Sequence, residues 1–138
     1  LVRVVEDARF ATPNLRITLQ GESGLQLNGW PEQLTSAFDN LLRNAQRFSP
    51  QAGEIQVCIE PTENAWAISI EDQGPGVPEQ WLNKLSEPFV RLPGQPADSG
   101  YGLGLTIAAR AIARHNGTLH FTTAHGGGLR AVIKLPRL

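Results

Sequence analysis

"GEIQVCIE" and "NAWAISIED", residues 53–60 and 64–72, alternate apolar with polar or small residues on either side of a short polar break that contains Pro61. A period of two puts Ile55, Val57 and Ile59 on one face of a strand and Trp66, Ile68 and Ile70 on one face of the next. The pair predicts a β-hairpin with a wet face and a face that must be covered. "TLHFTTAHGGGLRAVIKL" adds two further strands around a glycine turn, and Leu15, Ile17 and Leu19 alternate in "NLRITLQGE". Such a sheet needs a layer of helices on its apolar side.

Two segments can supply that layer. Pro31 suits the first position of a helix, and Leu34, Phe38, Leu41, Leu42, Ala45 and Phe48 recur at helical spacing until Ser49-Pro50 stops it. "GLTIAARAIARHNG" sets Leu105, Ile107, Ala108, Ala111 and Ile112 for a buried helix, with Asn116-Gly117 as its C-terminal cap. Helices and strands mix without regular βαβ alternation, so the reading is a layered sheet backed by helices, not a doubly wound fold. "LQLNGW" predicts a short strand and turn, and Leu1 to Ala11 suits either a short helix or a strand. From Gln73 to Gly104 the chain is crowded with Gly and Pro and reads mostly as loop, with a brief helix at "PEQWLNKLSEPF".

A length of 138 residues, 41% of them hydrophobic, suits one domain closed around one core. Twelve basic residues against 13 acidic ones leave a net charge of -1, which argues against general binding to nucleic acid or membrane surfaces. A ligand must be recognised locally. The single cysteine, Cys58, excludes an internal disulfide and fits a reducing compartment. No apolar run approaches the ~20 residues of a membrane span, and the absence of methionine predicts an excised domain, cytoplasmic in location.

The chemistry is concentrated in three stretches. On the first helix, Asn40, Asn44 and Arg47 share a sector beside the apolar face, although Asn is a poor helix former. A carboxamide oxygen is a hard neutral ligand for Mg²⁺, an amide nitrogen donates to phosphate, and an arginine one turn on suits a polyphosphate. A solvated helix flank would look the same. In "EDQGPGVP", Asp72 ends a buried strand as a candidate acceptor for an exocyclic amine, and Gly74 and Gly76 leave room for a flat ring, although Asp-x-Gly is also an ordinary turn. In "SGYGLGL", Gly100, Gly102 and Gly104 precede an apolar helix and offer bare N–H groups to an anion. The spacing matches neither a Rossmann fingerprint nor a Walker loop. His115, His120 and His125 have no metal-ligand partners in the pattern and read as surface or structural residues.

In order, "NLLRNAQRFS", "DQGPGVP", "EPFVRL" and "GYGLGLTIA" resemble the N-box, first glycine box, F-box and second glycine box of bacterial sensor histidine kinases. The resemblance covers essentially the whole chain, as the catalytic and ATP-binding domain. It implies an α+β fold: the two-layer α/β sandwich of the gyrase, Hsp90, histidine kinase and MutL superfamily (Bergerat fold), with a mixed, mostly antiparallel sheet, a left-handed crossover and a mobile ATP lid. It implies ATP and Mg²⁺ as cofactors, with Asn44 the metal ligand, Asn40 supporting metal and phosphates, and Arg47 on phosphate. Asp72 would take the adenine amine, and Gly74 and Gly76 would admit the ring. The lid would run from about Pro88 to Ser99, with Phe89 as its anchor and Arg91 on the γ-phosphate. Gly100, Gly102 and Gly104 would cradle the phosphates and Leu103 would seat the lid. Phe48, Val77, Tyr101 and Leu105 complete the expected nucleotide-contacting set, and Asn40, Asn44 and Arg91 the catalytic one.

The implied activity is transfer of the ATP γ-phosphate to a histidine on a separate dimerisation domain, in two-component signal transduction. The implied partners are that domain and a downstream response regulator, with no nucleic acid. The parent would be a membrane-anchored homodimer with this piece as a monomeric cytoplasmic domain of an inner-membrane sensor. Phe48 departs from the tyrosine or histidine frequent in the family, keeping the stacking surface but losing a polar contact. The phosphoacceptor histidine has no counterpart here. An ATPase is disfavoured because Asn40 occupies the place of the glutamate base, and an amide takes no proton from water at neutral pH. An anti-sigma-type serine kinase and a non-catalytic nucleotide-sensing module stay open.

Overall fold

The structure is a computed structural model that describes residues 16–21, 29–48, 53–74, 76–85, 103–124 and 126–137. Strand β1 (Arg16–Gly21) is followed by helix α1 (Pro31–Phe48), strands β2 (Glu54–Pro61) and β3 (Ala65–Glu71), and a 3₁₀ turn over Glu79–Lys84. Helix α2 (Leu103–Arg114) and strands β4 (Thr118–Thr123) and β5 (Leu129–Pro136) complete the order. The five strands form one sheet in the order β1-β2-β3-β5-β4. β1 runs parallel to β2, across the crossover that contains α1, and the other three pairings are antiparallel.

The expected alternation sets the register. Ile59 pairs with Ile68 and Val57 with Ile70, while Ile68 and Ile70 face Ile133 and Ala131 of β5. All these side chains are buried, together with Ile17, Ile55, Trp66 and Leu135. Their neighbours on the other face, such as Gln56, Glu60, Arg130 and Lys134, are exposed. The helices α1 and α2 pack against each other and over the apolar face, α1 reaching β3 and α2 reaching β4. The result is the two-layer α+β sandwich.

Helix α1 contains several poor helix formers, among them Thr35, Ser36, Asp39, Asn40 and Asn44. Each costs up to about 0.7 kcal/mol relative to alanine. Burial decides the matter: Phe38, Leu41 and Leu42 are at most 5% exposed, and each such side chain contributes about 1.5–3 kcal/mol. Pro31 occupies the first turn as expected, and the Trp30 carbonyl accepts from the Gln33 and Leu34 amides. At the end of α2, Asn116 takes a left-handed φ of 59° and the Gly117 amide returns to the Ile112 carbonyl. The cap read from "HNG" is therefore formed.

One reading changes, and three others fall outside the described residues. The brief helix expected at "PEQWLNKLSEPF" is a six-residue 3₁₀ turn preceded by Pro78, which offers no side-chain cap. A segment so short cannot offset the cost of nucleating an α-helix, so the tighter turn forms instead. Leu1 to Ala11, the strand part of "LQLNGW" and the lid from Pro88 to Ser99 lie outside the described residues.

His115 has a structural role. Its ring is 5% exposed. Nε2 accepts the Trp30 main-chain N–H at 2.9 Å, Nδ1 lies 2.7 Å from the Ala111 carbonyl, and the Trp30 ring meets it edge-on at 5.3 Å. These partners demand a neutral ring with its proton on Nδ1. His115 thus ties the start of α1 to the end of α2. His115→Phe keeps the bulk but strands the Trp30 donor, and should cost about 1–3 kcal/mol in urea unfolding. In the wild type, ¹⁵N NMR should find the Nδ1–H tautomer; the Nε2–H form would contradict the tie.

Candidate functional site

Asp72 follows β3 at the position where the alternation Trp66, Ile68, Ile70 would place the next core side chain. It is 5% exposed, on the side of the sheet that carries the helices. Its main chain extends the β3–β5 ladder by donating to the Leu129 carbonyl at 3.0 Å. The return bond is unusual, because the Leu129 amide donates at 3.0 Å to the Asp72 side-chain Oδ1. In an ordinary antiparallel pair the main-chain carbonyl would accept it. The Gly74 amide donates to the same oxygen at 2.9 Å. Neither of these two bonds uses Oδ2.

Burial pushes the Asp72 carboxyl above its usual value, more strongly than the Leu129 and Gly74 amides pull it down, and neighbouring Glu71 adds to the rise. Two fixed dipoles thus face a carboxyl in a poorly solvated place.

The loop after Asp72 is moulded against the β4–β5 turn. Gly76 has φ of +77°, and a Cβ there would collide with the Gly127 carbonyl oxygen. Gly76 is thus required by the backbone itself, whatever ring approaches it. Val77, next in the chain, is 8% exposed and joins the core.

On α1, Asn44 is 9% exposed. Its Oδ1 is buried and, among the described residues, has no hydrogen-bond partner. Leaving such an oxygen unsatisfied costs about 1–3 kcal/mol, so the residue does not read as a solvated flank. Asn40, one turn earlier on the same face, is half-buried. The outer flank is different: Arg43 and Asp39 form an exposed i,i+4 ion pair at 2.9 Å. Arg47 and Phe48 complete the helix, and their side chains lie outside the described residues.

Leu103 and Gly104 open α2, so the chain does enter a helix from its glycine-rich segment. Leu105 is wholly buried and belongs to the core beneath that first turn. Phe89, Arg91, Gly100, Tyr101 and Gly102 fall outside the described residues. Sequence reasoning missed Gly128 and Leu129, which hold Asp72. The available signal was "GGG" at residues 126–128, more glycine than a hairpin turn needs.

The chain as a whole is similar to known proteins. Residues 29–138 match the family model described as histidine kinase-, DNA gyrase B-, and HSP90-like ATPase. The sensor histidine kinase GtrS of Pseudomonas aeruginosa is 37% identical over 123 residues, covering 89% of this chain and 25% of the relative. Sensor protein QseC of Escherichia coli K12 is 37% identical over 130 residues, 94% of this chain and 28% of the relative. The chain therefore spans about a quarter of the length of these curated relatives. Among solved structures, the mycobacterial sensor histidine kinase MprB superposes with a TM-score of 0.88 at 27% identity, over 99% of this chain and 92% of that one.

The raised Asp72 pKa has a consequence for stability. A carboxyl whose folded pKa lies above its unfolded value of 3.8 stabilises the fold below that value, and loses this contribution as pH rises through the folded pKa. At neutral pH the charged group is therefore a burden on the ligand-free fold. Asp72→Asn should melt a few degrees above wild type at pH 7 without ligand, and the gap should close as pH falls towards 4. Scanning calorimetry across pH measures it; a mutant less stable at pH 7 would show that the two amide bonds outweigh burial.

Proposed function

The chain belongs to the histidine kinase-, DNA gyrase B- and HSP90-like ATPase family, as the catalytic ATP-binding domain of a sensor histidine kinase, and we propose that it binds Mg²⁺-ATP and phosphorylates a histidine on a separate dimerisation domain of a longer sensor protein. The observation that carries this reading is the buried Oδ1 of Asn44, which has no hydrogen-bond partner among the described residues, on a helix that packs against β3. A neutral oxygen in such a place suits a hard cation. Asn44 would hold Mg²⁺ through that oxygen, with Asn40 assisting. Bound there, the cation would supply neutralisation of phosphate charge.

The remaining work falls to the chain. Asp72 would accept the adenine exocyclic amine on Oδ2, which the Leu129 and Gly74 amides do not use, while Gly74 leaves room for the base. Arg47 and the glycines at 100, 102 and 104 would hold the phosphates against the α2 N-terminus, under a lid that brings Arg91 to the γ-phosphate. Catalysis would come from positioning and charge stabilisation. The acceptor histidine, a response regulator and membrane anchorage would belong to the parent protein. Among the described residues no helix is long and apolar enough to cross a membrane.

Hydrolysis is a poorer reading. Asn40 and Asn44 cannot serve as a general base for water, and the relatives reported above are sensor kinases.

Asn44→Ala should abolish the Mg²⁺ enhancement of ATP affinity while leaving the fold intact, as titration calorimetry with and without the cation would read. A mutant that keeps the wild-type enhancement would place the metal elsewhere.

The chain alone should bind ATP without turning it over. Incubated with γ-labelled ATP it should gain no acid-labile label and release little phosphate. A phosphoacceptor domain added in trans should become labelled weakly, because separation forfeits a tether's effective concentration, on the order of millimolar. Rapid phosphate release from the chain alone would make it an ATPase.

A further inference from the structure

The three glycines of the β4–β5 turn are not equivalent. A Cβ built on Gly126 meets nothing within 4 Å, so that position is free. Gly127 has φ of +98°, which a side chain would strain. Gly128 is different again: its Cβ would fall on the Asp72 carbonyl oxygen and lie 2.8 Å from Asp72 Oδ1. The turn closes on itself through the Gly127 amide to the Ala124 carbonyl at 2.9 Å and the Ala124 amide to the Gly128 carbonyl at 2.6 Å. A hydrogen-bonded turn with three successive glycines is thus pressed against the residue that follows β3.

We propose that this turn is a positioning element of the base pocket, in which Gly128 and the Leu129 amide fix the direction of the Asp72 carboxylate and so set the preference for a base that carries an exocyclic amine. The inference rests on the reading of Asp72 as the amine acceptor. Two amides from different segments, Leu129 and Gly74, hold Oδ1 at 3.0 and 2.9 Å. With that oxygen fixed, the carboxylate cannot rotate without losing a bond, and Oδ2 keeps one direction. A methyl group at residue 128 must displace either the Asp72 main chain or the turn. In both cases the Leu129 amide leaves Oδ1. Gly76, pressed on the Gly127 carbonyl, braces the same turn from the loop side.

The discriminating measurement compares ATP with inosine triphosphate, which replaces the amine by a carbonyl oxygen. A carboxylate aimed at the base attracts the amine and repels the carbonyl, so the wild type should prefer ATP. Calorimetric titration of the wild type, Gly126→Ala, Gly128→Ala and Asp72→Asn with both nucleotides gives the preference for each. Gly126→Ala should keep it. Gly128→Ala should weaken ATP by at least about tenfold and lose most of the preference, approaching Asp72→Asn. A general loss of structure would weaken both nucleotides alike and leave the ratio unchanged, which would overturn the proposal. If Asp72→Asn itself keeps the wild-type preference, the reading of Asp72 fails and the inference falls with it. If Asp72→Asn loses the preference and a folded Gly128→Ala keeps it, only the role of the turn is refuted. Should Gly128→Ala not fold, amide hydrogen exchange on the wild type decides: saturating ATP should slow exchange at Leu129 more than saturating inosine triphosphate does, and equal slowing would refute the turn's role.

Discussion

The two helices are held in place by one apolar sheet face. Ile55, Val57, Ile59, Ile68, Ile133 and Leu135, all at most 1% exposed, form a surface that no strand can hide by itself, and α1 and α2 exist as ordered helices because they cover it. Their propensities would not suffice, since isolated helices of this length are marginal in water. The tie through His115 then fixes where α1 begins relative to where α2 ends. Asn40 and Asn44 are placed by this layer.

The polar side chains of the site stand at the margin of the same packing. Asp72 takes a place that the β3 alternation reserves for a core residue, and Asn44 sits beside Ala45 and Leu41 with a buried oxygen that has no hydrogen-bond partner among the described residues. Both are arrangements that a stability-driven sequence would remove. A charge pushed towards its neutral form and an unpaired amide oxygen are each costly without a ligand. A bound nucleotide and cation would convert those costs into affinity and selectivity.

Much of this was legible in the residues. Alternation gave the strands and their buried faces because a pleated strand shows its two sides in strict turn. The 3.6-residue period, Pro31 and Asn116-Gly117 marked the helices and two of their ends. The boxes around Asn40, Asn44, Asp72 and the glycines pointed to nucleotide chemistry through their order. The 3₁₀ turn at Glu79–Lys84 was less legible, since its composition also suits one turn of α-helix and only the missing cap and its short span decide.

Sequence by itself determined which residues face the core, which segments cover it, and which polar types stand ready for a ligand, because these follow from local periodicity and side-chain chemistry. Tertiary structure alone decided the rest: that β1 pairs in parallel with β2 while β5 inserts between β3 and β4, that the Oδ1 of Asn44 is buried, and that Gly128 meets Asp72 and the Leu129 amide reaches it across 57 residues of chain. These are contacts between segments remote in sequence. No local propensity encodes them; they arise when the strands assemble and the helices close over their shared face.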